Sequence, residues 1–190
     1  MRIFGIDPGS DRTGYGCVDS DGSRHRLVVC GAIATRCCET FPDKLRLIHR
    51  DLSALIAAHR PAVVAVENVF HAANVRSALK LGHARGVAIL AAVEQGVPVA
   101  EYTPAEVKRA LVGYGRAEKH QVGEMVRLLL GLRDVPQPDD AADALAVAIC
   151  HAHASSAPAL ALGAPTGNGA ARRKRAVTNW RNYRPPGDTG

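Results

Sequence analysis

The sequence predicts an α/β fold, a mixed five-stranded sheet flanked by helices. Three observations lead there. Strand-like runs joined by short turns fill the first 35 residues. A β-α-β-α series follows them, and strands before helices in this pattern suit a mixed sheet with helical layers. The chain has 190 residues, 47% of them hydrophobic and 22% charged, enough for one ordinary core with some residues over.

Residues 2–7 alternate and carry enough β-branching for a first strand, which ends at the turn Asp7-Pro8-Gly9-Ser10. Residues 13–19 and 26–35 follow as strands separated by the Asp21-Gly22 turn, so the first three strands form an antiparallel meander. In residues 42–59, Leu45, Ile48, Leu52, Leu55 and Ile56 recur at helical spacing. Residues 61–66 are a continuous apolar run of strand length, as in a buried central strand. A long helix over 75–95 is stopped by Gly96, and 98–102 is a fifth strand. Thr103 reads as an N-cap, with Pro104 at the first helical position and Glu106 completing a capping box. That helix ends at Gly113-Tyr114-Gly115, and further helices are expected over 119–130 and 139–153.

The formal charge is +6, unevenly spread. From Ser155 onward six basic residues face one acid, which leaves the remaining body nearly neutral. Two domains of different kind are therefore expected: a folded body over 1–154 and a disordered basic tail over 155–190, rich in Ala, Gly, Pro and Ser. A basic balance favours a polyanionic partner. Five scattered cysteines without a CxxC spacing argue against a zinc ribbon and a secreted disulfide framework, and are expected to be buried thiols. No apolar run is long enough to span a bilayer, and a strand-like run begins at the N-terminus, so a cytoplasmic protein is expected.

Acids stand where chemistry is most easily built. Asp7 ends the first strand at a glycine turn that lets a phosphate approach. Glu67 closes a buried strand, where a bare carboxylate is costly unless paired, metal-bound or at the solvent edge. Asp139, Asp140 and Asp143 open the last helix, and spacings of three and four put Asp143 on a face with either neighbour. Acids in a first helical turn also suit the helix dipole, but Asp143 runs straight into Ala144-Leu145-Ala146-Val147-Ala148-Ile149, an apolar stretch that surface decoration does not explain. Such a group supplies hard oxygen ligands for two Mg²⁺-like ions that clamp the attacking and leaving oxygens of a phosphodiester. Spacing leaves Asp139 and Asp140 equivalent. Lys108 and Lys119 flank the Gly113-Tyr114-Gly115 break, within reach of phosphate or otherwise plain surface lysines. Phe70 is a core ring or one exposed for base stacking. His151 and His153, two apart, point to different helix faces and are poor joint ligands. Ala78, Gly82 and Gly86 make a small-residue stripe for close approach of another helix, from this chain or a second subunit.

The ordered set Gly5-Ile6-Asp7-Pro8-Gly9-Ser10 with Thr13-Gly14-Tyr15-Gly16, Glu67-Asn68-Val69-Phe70, residues 77–88, Ala117-Glu118-Lys119 and Asp140-Ala141-Ala142-Asp143 resembles the RuvC family of Holliday-junction resolvases over residues 1–153. The resemblance implies an RNase H-like fold and a homodimer that makes paired symmetric nicks in four-way junction DNA during recombination and repair. It also implies two Mg²⁺ or Mn²⁺ ions per site and the RuvA–RuvB branch-migration complex as partner. Carried over residue by residue, the metal carboxylates are Asp7, Glu67, Asp140 and Asp143, so the family pattern chooses Asp140 over Asp139. Lys108 and Lys119 correspond to its basic residues near the scissile phosphate, Phe70 to its base-contacting aromatic, and the small-residue helix to its dimer interface. The tail has no counterpart. Three rival readings compete: a related nuclease for ribosomal RNA precursors, an actin-like or sugar-kinase ATPase, and a junction-binding module without catalysis. The Asp-Ala-Ala-Asp motif, the chain's small size and the complete carboxylate set, respectively, weigh against them.

Overall fold

In the computed structural model, residues 1–68 and 74–156 are described. Strand β1 (Arg2–Asp7) lies at the middle of a five-stranded sheet. It pairs antiparallel with β2 (Arg12–Ser20), which pairs antiparallel with β3 (His25–Ala34), the expected meander. Helix α1 (Phe41–His59) leads to β4 (Val63–Glu67), which lies parallel to β1 on its other side. Helix α2 (Val75–Glu94) leads to β5 (Val99–Tyr102), parallel to β4, giving the order β3-β2-β1-β4-β5. Helices α3 (Pro104–Val112), α4 (Lys119–Leu129) and α5 (Asp139–Ser156) complete the body.

Alternation along the strands builds two cores. Phe4 and Ile6 of β1, with Val64 and Val66 of β4, pack under Ile48, Leu52 and Ile56 of α1 and the alanines of α2. Ile3, Val18, Val63 and Ala65 point the other way, into a core shared with α3, α4 and α5. Burial of each large side chain stabilises the fold by about 1.5–3 kcal/mol. A one-residue slip of β1 would exchange Phe4 and Ile6 for Gly5 and Asp7, so the register is firmly held.

Helix α5 is the innermost helix: every residue from Ala144 to Ile149 is fully buried. Its alanines favour the helix and keep it thin. Glycines in the sheet let it sit down. A Cβ on Gly5 would stand 2.0 Å from the Ala144 carbonyl oxygen, and one on Gly14 would stand 2.0 Å from that of Asp140. Both positions therefore exclude any side chain.

The expected capping box at Thr103 and Glu106 is present, with Pro104 at the start of α3. Strand β4 begins later than expected, at Val63: Pro61 has no N–H for the ladder. Helix α5 runs two residues into the segment expected to be a disordered tail, because Ser155 and Ser156 bond back to carbonyls of the preceding turn. The rest of that tail lies outside the described residues. The expectation of uniformly buried thiols is corrected. Cys17 and Cys150 are buried, whereas Cys30 and Cys38 are half-buried and Cys37, on the turn after β3, is exposed. Among the described residues no helix is long and apolar enough to cross a membrane.

Replacing Gly5 with Ala is expected to cost about 3 kcal/mol of stability, the upper end of overpacking penalties, because the obstacle is backbone. Urea denaturation measures it; a loss below about 1 kcal/mol would contradict the seating of α5 on β1.

Candidate active site

The parity that sends Ile3 and Gly5 toward α5 also sends Asp7 there, and the parity of Val63 and Ala65 does the same for Glu67. Since Ile6 lies beside Val66 in the parallel register, the two acids emerge side by side at the ends of β1 and β4. Above them comes the start of α5. Gly14, opposite Asp7 on β2, abuts the backbone of Asp140, and one turn on stands Asp143. Four carboxylates from three separate segments thus gather on one sheet face. Asp139 turns outward, its side chain 65% exposed, whereas that of Asp140 is 28% exposed and lies nearer the other acids.

Crowded acids raise one another's proton affinity. Burial is the first cause at Asp7, and the negative charges of Glu67 and Asp143, with a hydrogen bond to Glu67, add to it, lifting the Asp7 carboxyl to about 8. Glu67 and Asp143 are also raised, chiefly by burial; the hydrogen bond from Asp7 opposes the shift at Glu67, and Lys119 opposes it at Asp143. The direction is the same at all three acids: each is harder to ionise here than in water. Protein cations neutralise two of the acids: Lys119 Nζ lies 2.8 Å from Asp143 Oδ2, and Arg12 Nη1 lies 3.3 Å from Asp140 Oδ2. Burial alone would lower the Lys119 ammonium, but its bond to Asp143 and the neighbouring acidic charges hold it above the usual value.

Among the described residues no three His, Cys, Asp or Glu side chains are yet drawn up around one point. The donor set nevertheless fits a divalent cation. It is all oxygen, and its Asp7–Glu67 pair is desolvated with no Lys or Arg in ion-pair contact among the described residues. Lys119 and Arg12 each hold one of the other two acids.

Lys108 on α3 and Lys119 at the start of α4 share with Glu67 and Asp143 the walls of a cleft of about 170 Å³. Gly113 ends α3 at φ 89°, and Glu118 caps α4, so the chain turns between the helices that carry the two lysines. Lys119 reaches Asp143, and Lys108 lines the same cleft. Phe70 lies outside the described residues. The histidines are engaged elsewhere: Tyr102 Oη is 2.7 Å from His151 Nδ1, and His153 lies between His25 and the Ala110 carbonyl. The small-residue stripe on α2 is open, since nothing lies within 4 Å of a Cβ built on Gly82 or Gly86. No helix of the described chain fills it. The residue missed by sequence reasoning is Arg12. Strand parity with Gly14 and Gly16 was the available signal, but it acquires meaning only once α5 is known to lie on that face.

Residues 3–151 match the family model described as crossover junction endodeoxyribonuclease RuvC. The crossover junction endodeoxyribonuclease RuvC of Trichlorobacter lovleyi is 52% identical over 97% of this chain and 100% of its own length. The structure of Thermus thermophilus RuvC superposes with a TM-score of 0.75 at 39% identity, covering 82% of this chain and 95% of that one. The same protein in complex with Holliday junction substrate matches with a TM-score of 0.75 at 37% identity, over the same shares of both chains. The RNase H-like α/β fold expected from the sequence is therefore the one observed.

A pH dependence follows from the raised Asp7. Its folded-state proton affinity exceeds that of the unfolded chain, so its stabilising contribution is complete below about pH 4 and is lost as pH rises through about 8. In metal-free protein the Tm advantage of Asp7→Asn over wild type should therefore widen from pH 5 to pH 8. Scanning calorimetry in chelator measures it; parallel Tm curves would show that Asp7 is not crowded by the other acids.

Proposed function

The chain belongs to the RuvC family of crossover junction endodeoxyribonucleases, and from that membership we propose that it resolves four-way DNA junctions by paired symmetric nicks, acting on DNA in the cytoplasm during recombination and repair. The observation that supports this most directly is the convergence of Asp7, Glu67, Asp140 and Asp143 from two strand ends and one helix start. The family is one of metal-dependent nucleases. We assign Mg²⁺ or Mn²⁺ to the four carboxylates, two ions per site, because hard oxygen donors favour these cations over thiophilic ones. What such ions supply when bound is activation of a water and neutralisation of charge on the attacking and leaving oxygens.

The chain's own residues do the rest. The adjacent ends of β1 and β4 hold Asp7 and Glu67 side by side as oxygen donors for the cation. Lys119 and Lys108, which line the cleft, offset charge that builds on the phosphate in the transition state. Phe70, next in sequence after Glu67-Asn68-Val69, is assigned to contact with bases near the cut.

The same reading needs two sites. Val75, Leu79, Leu90 and Val93 of α2 are exposed by 77, 60, 48 and 58%, alongside the open Gly82 and Gly86. An apolar stripe with a groove of glycine favours a second copy of the chain packed helix against helix. A two-fold dimer presents two sites to a junction of like symmetry. The RuvA–RuvB branch-migration complex is the partner that delivers the junction.

Three variants test this. Asp7→Asn should abolish cleavage of a synthetic four-way junction in Mg²⁺ while junction binding persists, and wild-type rates would refute the assignment. Lys119→Met should lower kcat about 100-fold with little change in KM, as loss of a transition-state contact does; an effect on KM alone would make it a mere binding residue. Gly86→Arg should leave a folded monomer by analytical ultracentrifugation and uncouple the two nicks, and a dimer unchanged by it would exclude α2 as the interface.

A further inference from the structure

Arg12 opens β2 on the face that meets α5. On that face the next two positions hold no side chain: a Cβ on Gly14 would strike the Asp140 carbonyl, and one on Gly16 would lie 2.6 Å from Leu145 Cγ. Arg12 is the first position, moving back along the strand, that lies past the start of the helix. Its backbone is held by pairing with Ala34 and by close packing of Gly9 on its carbonyl. Its guanidinium is not held in the same way. It makes one 3.3 Å contact with Asp140 Oδ2, from a side chain 40% exposed. The neighbouring acid, Asp11, is taken by Lys44, so Asp140 is the carboxylate left to Arg12.

A guanidinium and a divalent cation on the same carboxylate repel each other, and the weaker contact gives way. The displaced guanidinium then needs another anion. Its planar fork matches the paired oxygens of a phosphate, and its exposure lets it turn outward without moving the strand. We propose that Arg12 is a further DNA-binding residue of this site: it occupies Asp140 in the cation-free protein and passes to a backbone phosphate when cation and DNA bind. The proposal rests on the carboxylate-site reading above. It makes Arg12 a link between loading of the site and grip on the substrate.

Two binding measurements test it without turnover, using Ca²⁺ as the cation and a synthetic four-way junction. Calcium titration of the DNA-free protein by calorimetry should show Arg12→Gln binding up to about fivefold more tightly than wild type, since a competitor has been removed. Junction affinity against salt concentration should fall less steeply for Arg12→Gln than for wild type, by about 0.9 in the log–log slope, in Ca²⁺ and not in EDTA. Arg12→Lys should keep the wild-type slope in Ca²⁺, which separates lost charge from lost structure. An unchanged slope, a slope reduced equally in EDTA, or calcium affinity that stays the same or weakens in Arg12→Gln would each overturn the hand-off. A wild-type protein that binds no Ca²⁺ and cuts no junction would instead remove the carboxylate reading itself.

Discussion

Helix α5 lies with its backbone almost on the sheet, and the rest of the molecule is arranged around that contact. Two glycines on adjacent strands make it feasible, and the alanine-rich sequence of the helix lets it use the space. The result is a fixed short distance between acids carried on strands and acids carried on a helix. No loop sets that distance. Rigid elements hold catalytic constellations more accurately than loops do, and here even the element-to-element spacing is set by backbone meeting backbone.

Gathering four carboxylates at such a place opposes folding, and the structure offsets the repulsion in two ways. Lys119 and Arg12 each hold one acid, while the proton affinity of Asp7 and Glu67 is raised by burial and by the neighbouring negative charges. In the proposed reading a divalent cation takes the place of these arrangements when the site is loaded. Burial of the strand-borne pair sharpens the effect, since desolvation makes a carboxylate's charge costly without a compensating cation.

Much of this was legible in the sequence because the elements are punctuated clearly. Pro8-Gly9 closes β1, Thr103-Pro104 opens α3, and Gly113 ends it. The acids were visible as anomalies: Glu67 at the end of an apolar strand and Asp143 at the head of an apolar helix. What remained hidden depended on distances between elements. Nothing local in the sequence tells that Asp139 turns outward while the backbone of Asp140 is seated on Gly14. Arg12 looked like any charged residue after a turn, and its contact with Asp140 emerges only from sharing a face with two glycines pressed against α5. Cys37 was misjudged because an odd set of free thiols says nothing about which lie on a turn.

The two-residue period of β1 and β4 also has an evolutionary consequence. Asp7 and Glu67 face α5 only because an even number of steps separates them from Ile3 and Val63, which are pinned in the core below. Inserting or deleting one residue inside either strand would turn its acid through to the side of α1 and α2, into an apolar layer, while leaving composition and helix packing almost untouched. Descendants of this chain are therefore free to vary their turns, yet length change within these two strands is open to them only in pairs. An ancient record of descent should show these short segments without gaps, even where the sequence between them has drifted beyond recognition.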